Sequence, residues 1–302
     1  MKKATKKLGN PVGVKNYEGY LFLLPMLIPY LIFTFSMLIS SFWMSFTNYK
    51  LNKPTSFVGL QNYQLLLNDA KFWSALWTTL KYVVLVTPML LVIPFLLAML
   101  MNADRLRARS FFRATFFYPQ VIAVSIVTVM ATYIFQPYTG LVNALLQQLH
   151  LLAPNVEILW LADRTMVWVT IVIMAVWRQA GYNMIIYLAG MQDISDSYYE
   201  AASLEGASAF QKMRYITIPC LASTHVLILF LQLIASFKVY ASIYLLTGGG
   251  PGGSTRTYIQ YLYETAFNKW QLGRGSASAI VLFLIILVVT QIQMKITSKY
   301  AD

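Results

Sequence analysis

Six long apolar runs govern what this chain can fold into. They lie at residues 20–46, 77–101, 114–135, 166–191, 221–246 and 276–296. A helix needs about 20 apolar residues to cross a hydrocarbon layer about 30 Å thick, and each run is long enough. Of the 302 residues, 58% are hydrophobic and 11% charged, against about 25% charged in soluble domains. Inside a bilayer the backbone must satisfy its own polar groups, which a helix does within one segment. The expected fold is therefore all-α, a polytopic membrane protein with six transmembrane helices. Pro25, Pro29, Pro88 and Pro94 fall inside the first two runs. Neighbouring helices or waters can satisfy the backbone groups that these prolines free. The first run is too long for a signal-peptide core and no small-residue cleavage site follows it, so it reads as an uncleaved anchor.

With six crossings, both chain ends share one side. That side carries thirteen Lys and Arg: Lys2, Lys3, Lys6, Lys7 and Lys15 in the N-terminal tail, Arg105, Arg107, Arg109 and Arg113 after the second run, then Lys212, Arg214, Lys295 and Lys299. The other side carries seven: Lys50, Lys53, Lys71, Arg164, Arg256, Lys269 and Arg274. Basic residues concentrate in cytoplasmic loops, so both termini are expected in the cytoplasm of a multi-pass protein. A bacterial-type inner or cytoplasmic membrane is the default location. The net charge of +12 is thus read as topology, and no nucleic acid is expected. The expected organisation is a tail at 1–19, a first helix with its outer connection at 20–76, a five-helix core at 77–297 and a short tail at 298–302. The outer connections, near 47–76, 136–165 and 247–275, are too short for a large extra domain.

No catalytic or metal-binding constellation is visible. A single cysteine, Cys220, excludes an internal disulfide and a thiolate cluster. His150 and His225 are far apart, and no nucleophile–base pair or paired carboxylates lie at membrane depth. No Asp or Glu falls well inside a run, which disfavours an ion-coupled secondary transporter. The glycine-rich stretch 248–253 lacks the Lys that a phosphate-binding loop places before Ser or Thr, since Gly253 precedes Ser254. It reads as an outer turn.

The most informative segment lies between the fourth and fifth runs, at 191–219. Ser195, Asp196 and Ser197 supply helix-capping residues ahead of Tyr198, Tyr199, Glu200, Ala201 and Ala202. The alanines favour helix and leave a thin surface that another protein can approach. Gly206, between Glu205 and Ala207, permits a turn that a Cβ would resist, and Pro219 stiffens the entry to the next run. The expected shape is a short helix, a turn and a second short helix. Two further faces suggest a solute path, because polar residues inside spans usually face a bundle interior or a wet cavity. Ala175, Arg178, Gln179 and Tyr182 share one helical face in the fourth run, and Gln232, Ser236, Tyr240 and Ile243 share another in the fifth. Aromatic rings there offer stacking faces, and Gln and Ser offer hydrogen-bond donors and acceptors. Polar residues also join membrane helices to each other.

Glu200-Ala201-Ala202, Gly206 three residues on, and Ile216-x-x-Pro219 after nine more resemble the EAA loop of ABC importer permeases. The stretches Ser236-Phe237-Lys238-Val239-Tyr240, Tyr244-Leu245-Leu246-Thr247-Gly248-Gly249-Gly250-Pro251 and Tyr261-Leu262-Tyr263-Glu264-Thr265-Ala266-Phe267 resemble the carbohydrate-uptake, maltose-permease-like branch. So does Phe57-Val58-Gly59-Leu60-Gln61-Asn62-Tyr63 near the start. The resemblance implies a type I ABC importer permease fold and a non-enzymatic subunit. It also implies as partners a second homologous permease, two ATPase subunits that bind ATP and Mg, and an extracellular solute-binding protein that delivers a sugar. By this resemblance Tyr199, Glu200, Ala201, Ala202, Glu205, Gly206, Ala207 and Pro219 form the ATPase-coupling surface, and the fourth and fifth spans carry the solute site. Arg178 fits an acidic sugar but also general permease patterns, so it implies no anionic substrate by itself. The same architecture importing a glycerol-phosphate ester or a polyamine is the alternative.

Overall fold

The computed structural model describes residues 16–50, 54–102 and 108–297. The basic tail at 2–15, Lys53, Arg105, Arg107 and the C-terminal tail lie outside them. The regular elements of the described residues are helices, with one isolated antiparallel bridge between Thr47 and Phe57. Helix α1 runs through Asn16–Pro29, a π turn at Tyr30–Phe35 and Ser36–Met44. Pro29 has no N–H to donate, and the backbone widens directly after it. A short helix α2, Gln61–Leu67, occupies the first connection, and α3, Ala70–Asn102, starts seven residues before its apolar run and contains Pro88 and Pro94.

The third and fifth runs are not single straight helices. The third divides into α4, Arg109–Val121, and α5, Val124–Ile134, bent by 98°. Ile122 and Ala123 are extended at the break, with ψ of 137° and 136°. Pro119 has already removed a hydrogen bond from the last turn of α4. After α6, Leu141–Gln148, comes α7, Met166–Gln192. Asp163 Oδ1 accepts the backbone N–H of Thr165 and Met166 and so closes the start of α7. The fifth run divides into α10, Ala222–Phe237, and α11, Ala241–Thr247. Helix α12, Tyr258–Tyr263, continues into a π turn at Glu264–Asn268, and α13, Leu272–Thr297, closes the chain. Among the described residues four helices are long and apolar enough to cross a membrane: the Tyr20–Met44 part of α1, α3, α7 and α13. The total is six if each of two bent pairs, α4 with α5 and Ala209–Cys220 with α10, counts as one span.

Packing sets the helix directions. The last turns of α3 and α7 meet the start of α10 in one cluster, through Phe95, Ala98, Met184, Tyr187, Leu221 and Ile228. The first halves of α3 and α7 meet α5 and α11 in a second, through Tyr82, Val86, Ala131, Trp168, Ile171 and Ile243. Helices α3 and α7 are therefore parallel and α10 returns against them. Gly181 allows the close approach of α4, because a Cβ there would fall 1.9 Å from the Phe116 carbonyl oxygen. Polar links lock the bundle. Pro94 cannot donate to the carbonyl four residues back, at Leu90, and Asn183 Nδ2 donates to that oxygen at 2.9 Å instead. Gln232 Nε2 then donates to Asn183 Oδ1 at 3.0 Å, which ties α3, α7 and α10 together.

Candidate functional site: an intramembrane cleft and an exposed elbow

The segment after α7 forms α8, Asp196–Leu204, and α9, Ala209–Cys220, the latter with a π turn at Met213–Thr217. Ser195 stands at the N-cap, but its hydroxyl bonds that of Ser197 at 2.8 Å instead of a backbone N–H. Gly206 turns the chain with φ +75°, and a Cβ there would meet nothing within 4 Å. Its role is therefore conformational: the left-handed region is costly for a residue with a Cβ. Ser208 and Gln211 then form a capping box. Tyr199 OH and Thr217 Oγ1 meet at 3.0 Å, and Lys212 Nζ donates to Ser203 Oγ at 2.6 Å. The two helices are thereby fixed to each other as an elbow. Pro219 sits two residues before a 67° bend at Leu221 into α10. Glu200, Ala201, Glu205 and Pro219 are exposed, while Ala202 and Ala207 are half-buried. Leu204 is 91% exposed, and Tyr198, Phe210 and Tyr215 are also exposed.

A cleft of about 310 Å³ opens among α3, α5, α7, α10 and α11, lined by Tyr82, Arg178, Gln179, Ser236, Tyr240 and Ser242 among others. A pit of about 30 Å³ adjoins it and is lined further by Thr128, Ala175 and Ile243. Its size suits one water. Six of the eight residues expected on the solute path thus come together: Ala175, Arg178, Gln179, Ser236, Tyr240 and Ile243. Gln232 instead points to Asn183 in the bundle, and Tyr182 is 42% exposed away from the cleft. Sequence reasoning missed Tyr82, Val124, Thr128 and Ser242. Tyr82 carried a signal, since it is polar within an apolar run and falls one helical turn from Thr78 and Thr79.

The cleft offers a guanidinium, an amide, three kinds of hydroxyl and aromatic edges. No Asp or Glu is among its lining residues. Ser236 Oγ shares a 3.3 Å hydrogen bond with Thr87 of α3. Arg178 Nε is buried with no hydrogen-bond partner among the described residues. Such a site fits a neutral or anionic hydroxyl-rich solute better than a cation.

Beyond the cleft, at the end opposite the elbow, Arg274 Nη2 reaches Asp69 Oδ2 at 2.7 Å and Tyr261 OH donates to the same oxygen at 2.8 Å. Burial alone would raise the Asp69 pKa. The Lys71 N–H, the Tyr261 hydroxyl and the Arg274 charge outweigh it and hold the carboxyl below its ordinary value.

Residues 66–300 match the family described as binding-protein-dependent transport system inner membrane component. The arabinooligosaccharides transport system permease protein AraP of Bacillus subtilis is 33% identical over 95% of this chain and 90% of its own length. The trehalose/maltose transport system permease protein MalF of Thermococcus litoralis is 32% identical over 92% of each chain. Among solved structures, a bacterial alginate ABC transporter in complex with alginate pentasaccharide-bound periplasmic protein superposes with a TM-score of 0.83. It is 23% identical and covers 95% of this chain and 96% of that one. A further structure of a bacterial ABC transporter for the acidic polysaccharide alginate gives 0.82 at 24% identity, over 95% and 96% of the two chains. The shared fold is that of type I ABC importer permeases.

Proposed function

The chain belongs to the family of binding-protein-dependent transport system inner membrane components, and we propose that it is the permease subunit of an ATP-driven importer of a sugar or oligosaccharide. It pairs with a second, homologous permease across the cleft. Two ATPase subunits, which bind ATP and Mg, sit below the permease pair on the cytoplasmic side, and the elbow is this chain's docking surface for them. A solute-binding protein delivers the sugar at the opposite face. Closure of the ATPases pushes the elbow, whose internal bonds make α8 and α9 move as one body. The bend at Leu221 passes that motion into α10, which carries Ser236 into the cleft wall. The chain performs no chemistry; it converts ATPase motion into alternating access.

The exposed elbow carries this reading. Leu204, Tyr198, Phe210 and Tyr215 are large apolar side chains exposed on its two helices, with Glu200 and Glu205 exposed on the first helix and at its end, and no described residue of this chain covers them. Such a surface marks a partner site. The test is copurification with the second permease and the ATPase, comparing the native chain with Glu200→Arg plus Gly206→Pro. Proline cannot adopt φ +75°, so the turn is lost. The ATPase is expected to follow the native chain and to be lost from the variant. Equal retention by both would overturn the reading. Import of a glycerol-phosphate ester is the second reading, favoured by the Arg178 guanidinium, which lacks an acid partner in the cleft; the same observation disfavours a polyamine. Competition between that ester and the sugar for uptake separates the two.

A further inference from the structure

The α10–α11 break needs its own explanation, because no Pro or Gly lies between Phe237 and Ala241. At the break Tyr240 leaves helical geometry, with φ −148° and ψ −70°. Its ring is held between two others. Tyr244 of α11 stacks on it at 5.2 Å between centroids and 25° between planes, and Tyr263 of α12 at 5.7 Å and 29°. Phe267 of the following π turn continues the row from Tyr263 at 5.2 Å. Four rings from three segments thus form one unbroken line. Tyr240 lines the cleft, while Tyr244, Tyr263 and Phe267 are 40%, 41% and 49% exposed. Polar groups accompany the line. Glu264, next to Tyr263, pairs with Arg256 at 3.5 Å and accepts from Gln260 at 3.0 Å, and its side chain keeps 23% exposure.

We propose that Tyr244, Tyr240, Tyr263 and Phe267 form an aromatic track that extends the solute site beyond the cleft and takes successive rings of a linear oligosaccharide. The inference rests on the sugar-importer reading and deepens it. Position supports it: Tyr240 lines the cleft, and the row continues from it through Tyr263 to Phe267. Aromatic faces and edges attract the C–H faces of sugar rings, and an adjacent carboxylate and guanidinium bond their hydroxyls. The leading ring sits between Gln179 and Ser236, and those that follow lie along Tyr263 and Phe267.

The experiment uses the complete importer in sealed vesicles with its binding protein, and follows uptake of malto- and arabino-oligosaccharides of one to five rings. Tyr263→Leu and Phe267→Leu remove rings at similar volume, and Tyr263→Phe restores one. In either leucine variant, kcat/KM for chains of three or more rings is expected to fall about tenfold, as loss of one stacked ring implies. Values for one and two rings stay within about twofold, and Tyr263→Phe behaves as the native chain. A loss equal at every length would assign the row to packing and overturn the track while leaving the importer reading intact. Native uptake confined to single rings would do the same. No ATP-driven uptake of any sugar by an intact native assembly would overturn both.

Discussion

At the scale of single residues, polar side chains within the spans divide between holding the bundle and lining the cleft. Asn183 is the clearest holder. It is fully buried, caps the Leu90 carbonyl that Pro94 leaves free, and accepts from Gln232. Asn183→Leu strands both groups, and a loss of roughly 1–2 kcal/mol follows. Thermal unfolding in detergent is expected to shift down for this variant and to stay nearly constant for Tyr182→Leu, whose side chain is exposed. A native-like melt for Asn183→Leu would show that the link carries no load. Asp69 gives a pH prediction at the other end of the molecule. Its folded pKa lies below the ordinary 3.8, so its contribution is present above that value and is lost as pH falls through the lower, folded one. Stability is therefore expected to be insensitive to Asp69 ionisation from neutral pH down to about 4, and to decline below it. Asp69→Asn abolishes that acid limb, as melting curves against pH will register.

At the scale of elements, the elbow is two helices tied to each other by side-chain contacts, and the proposed coupling depends on those ties. The Tyr199–Thr217 contact joins α8 to the π turn of α9, and removing one hydroxyl separates the two motions. Tyr199→Phe is expected to keep the ATPase bound but to raise the ATP hydrolysed per sugar imported by a few-fold, measured in vesicles. An unchanged ratio would mean that the elbow moves as one body without this contact. The elbow was legible in the sequence because its cues are local: capping residues, alanines, a glycine and a proline at set spacing. The breaks in the third and fifth runs were not. Apolar residues continue past Ile122 and past Val239, so an apolar count does not register a turn of the backbone. Pro119 was visible as a proline, but the bend also depends on α5 packing against α11. At Tyr240 the break coincides with a ring stack on Tyr263, which is distant in sequence. The cleft divided in the same way. Spacing placed Arg178 with Gln179 because they share α7, whereas Ser236 of α10 and Tyr240 at the start of α11 meet in the cleft across a break that the spacing did not register. Tyr82 enters from another helix, and adjacency between helices is not written in the period of either one. Gln232 and Ser236 share a face, yet one turn of α10 puts the first among bundle contacts and the second in the cleft wall.

At the scale of the whole molecule, the exposed apolar surface is as informative as the core. The Tyr20–Met44 part of α1 has none of its 18-residue hydrophobic window buried. It joins the rest at its end, where Asn62 Nδ2 donates to the carbonyls of Ser45 and Thr47 and Gly273 N–H donates to that of Tyr49. Leu85, Met89, Val169 and Trp177 line an apolar groove between α3 and α7, and Lys81 at its rim sits 4.3 Å from the Trp168 ring centre. A chain with this much uncovered apolar surface works within lipid and alongside other membrane subunits. The cleft and the elbow lie at different depths of one bundle and are joined by the helices α7 and α10. The most direct measurement is sugar accumulation in sealed vesicles that contain this chain with its second permease, ATPases and binding protein. The account predicts uptake against a gradient only when ATP and binding protein are both present. Solute movement by this chain alone, without ATPases and in response to an ion gradient, would contradict it.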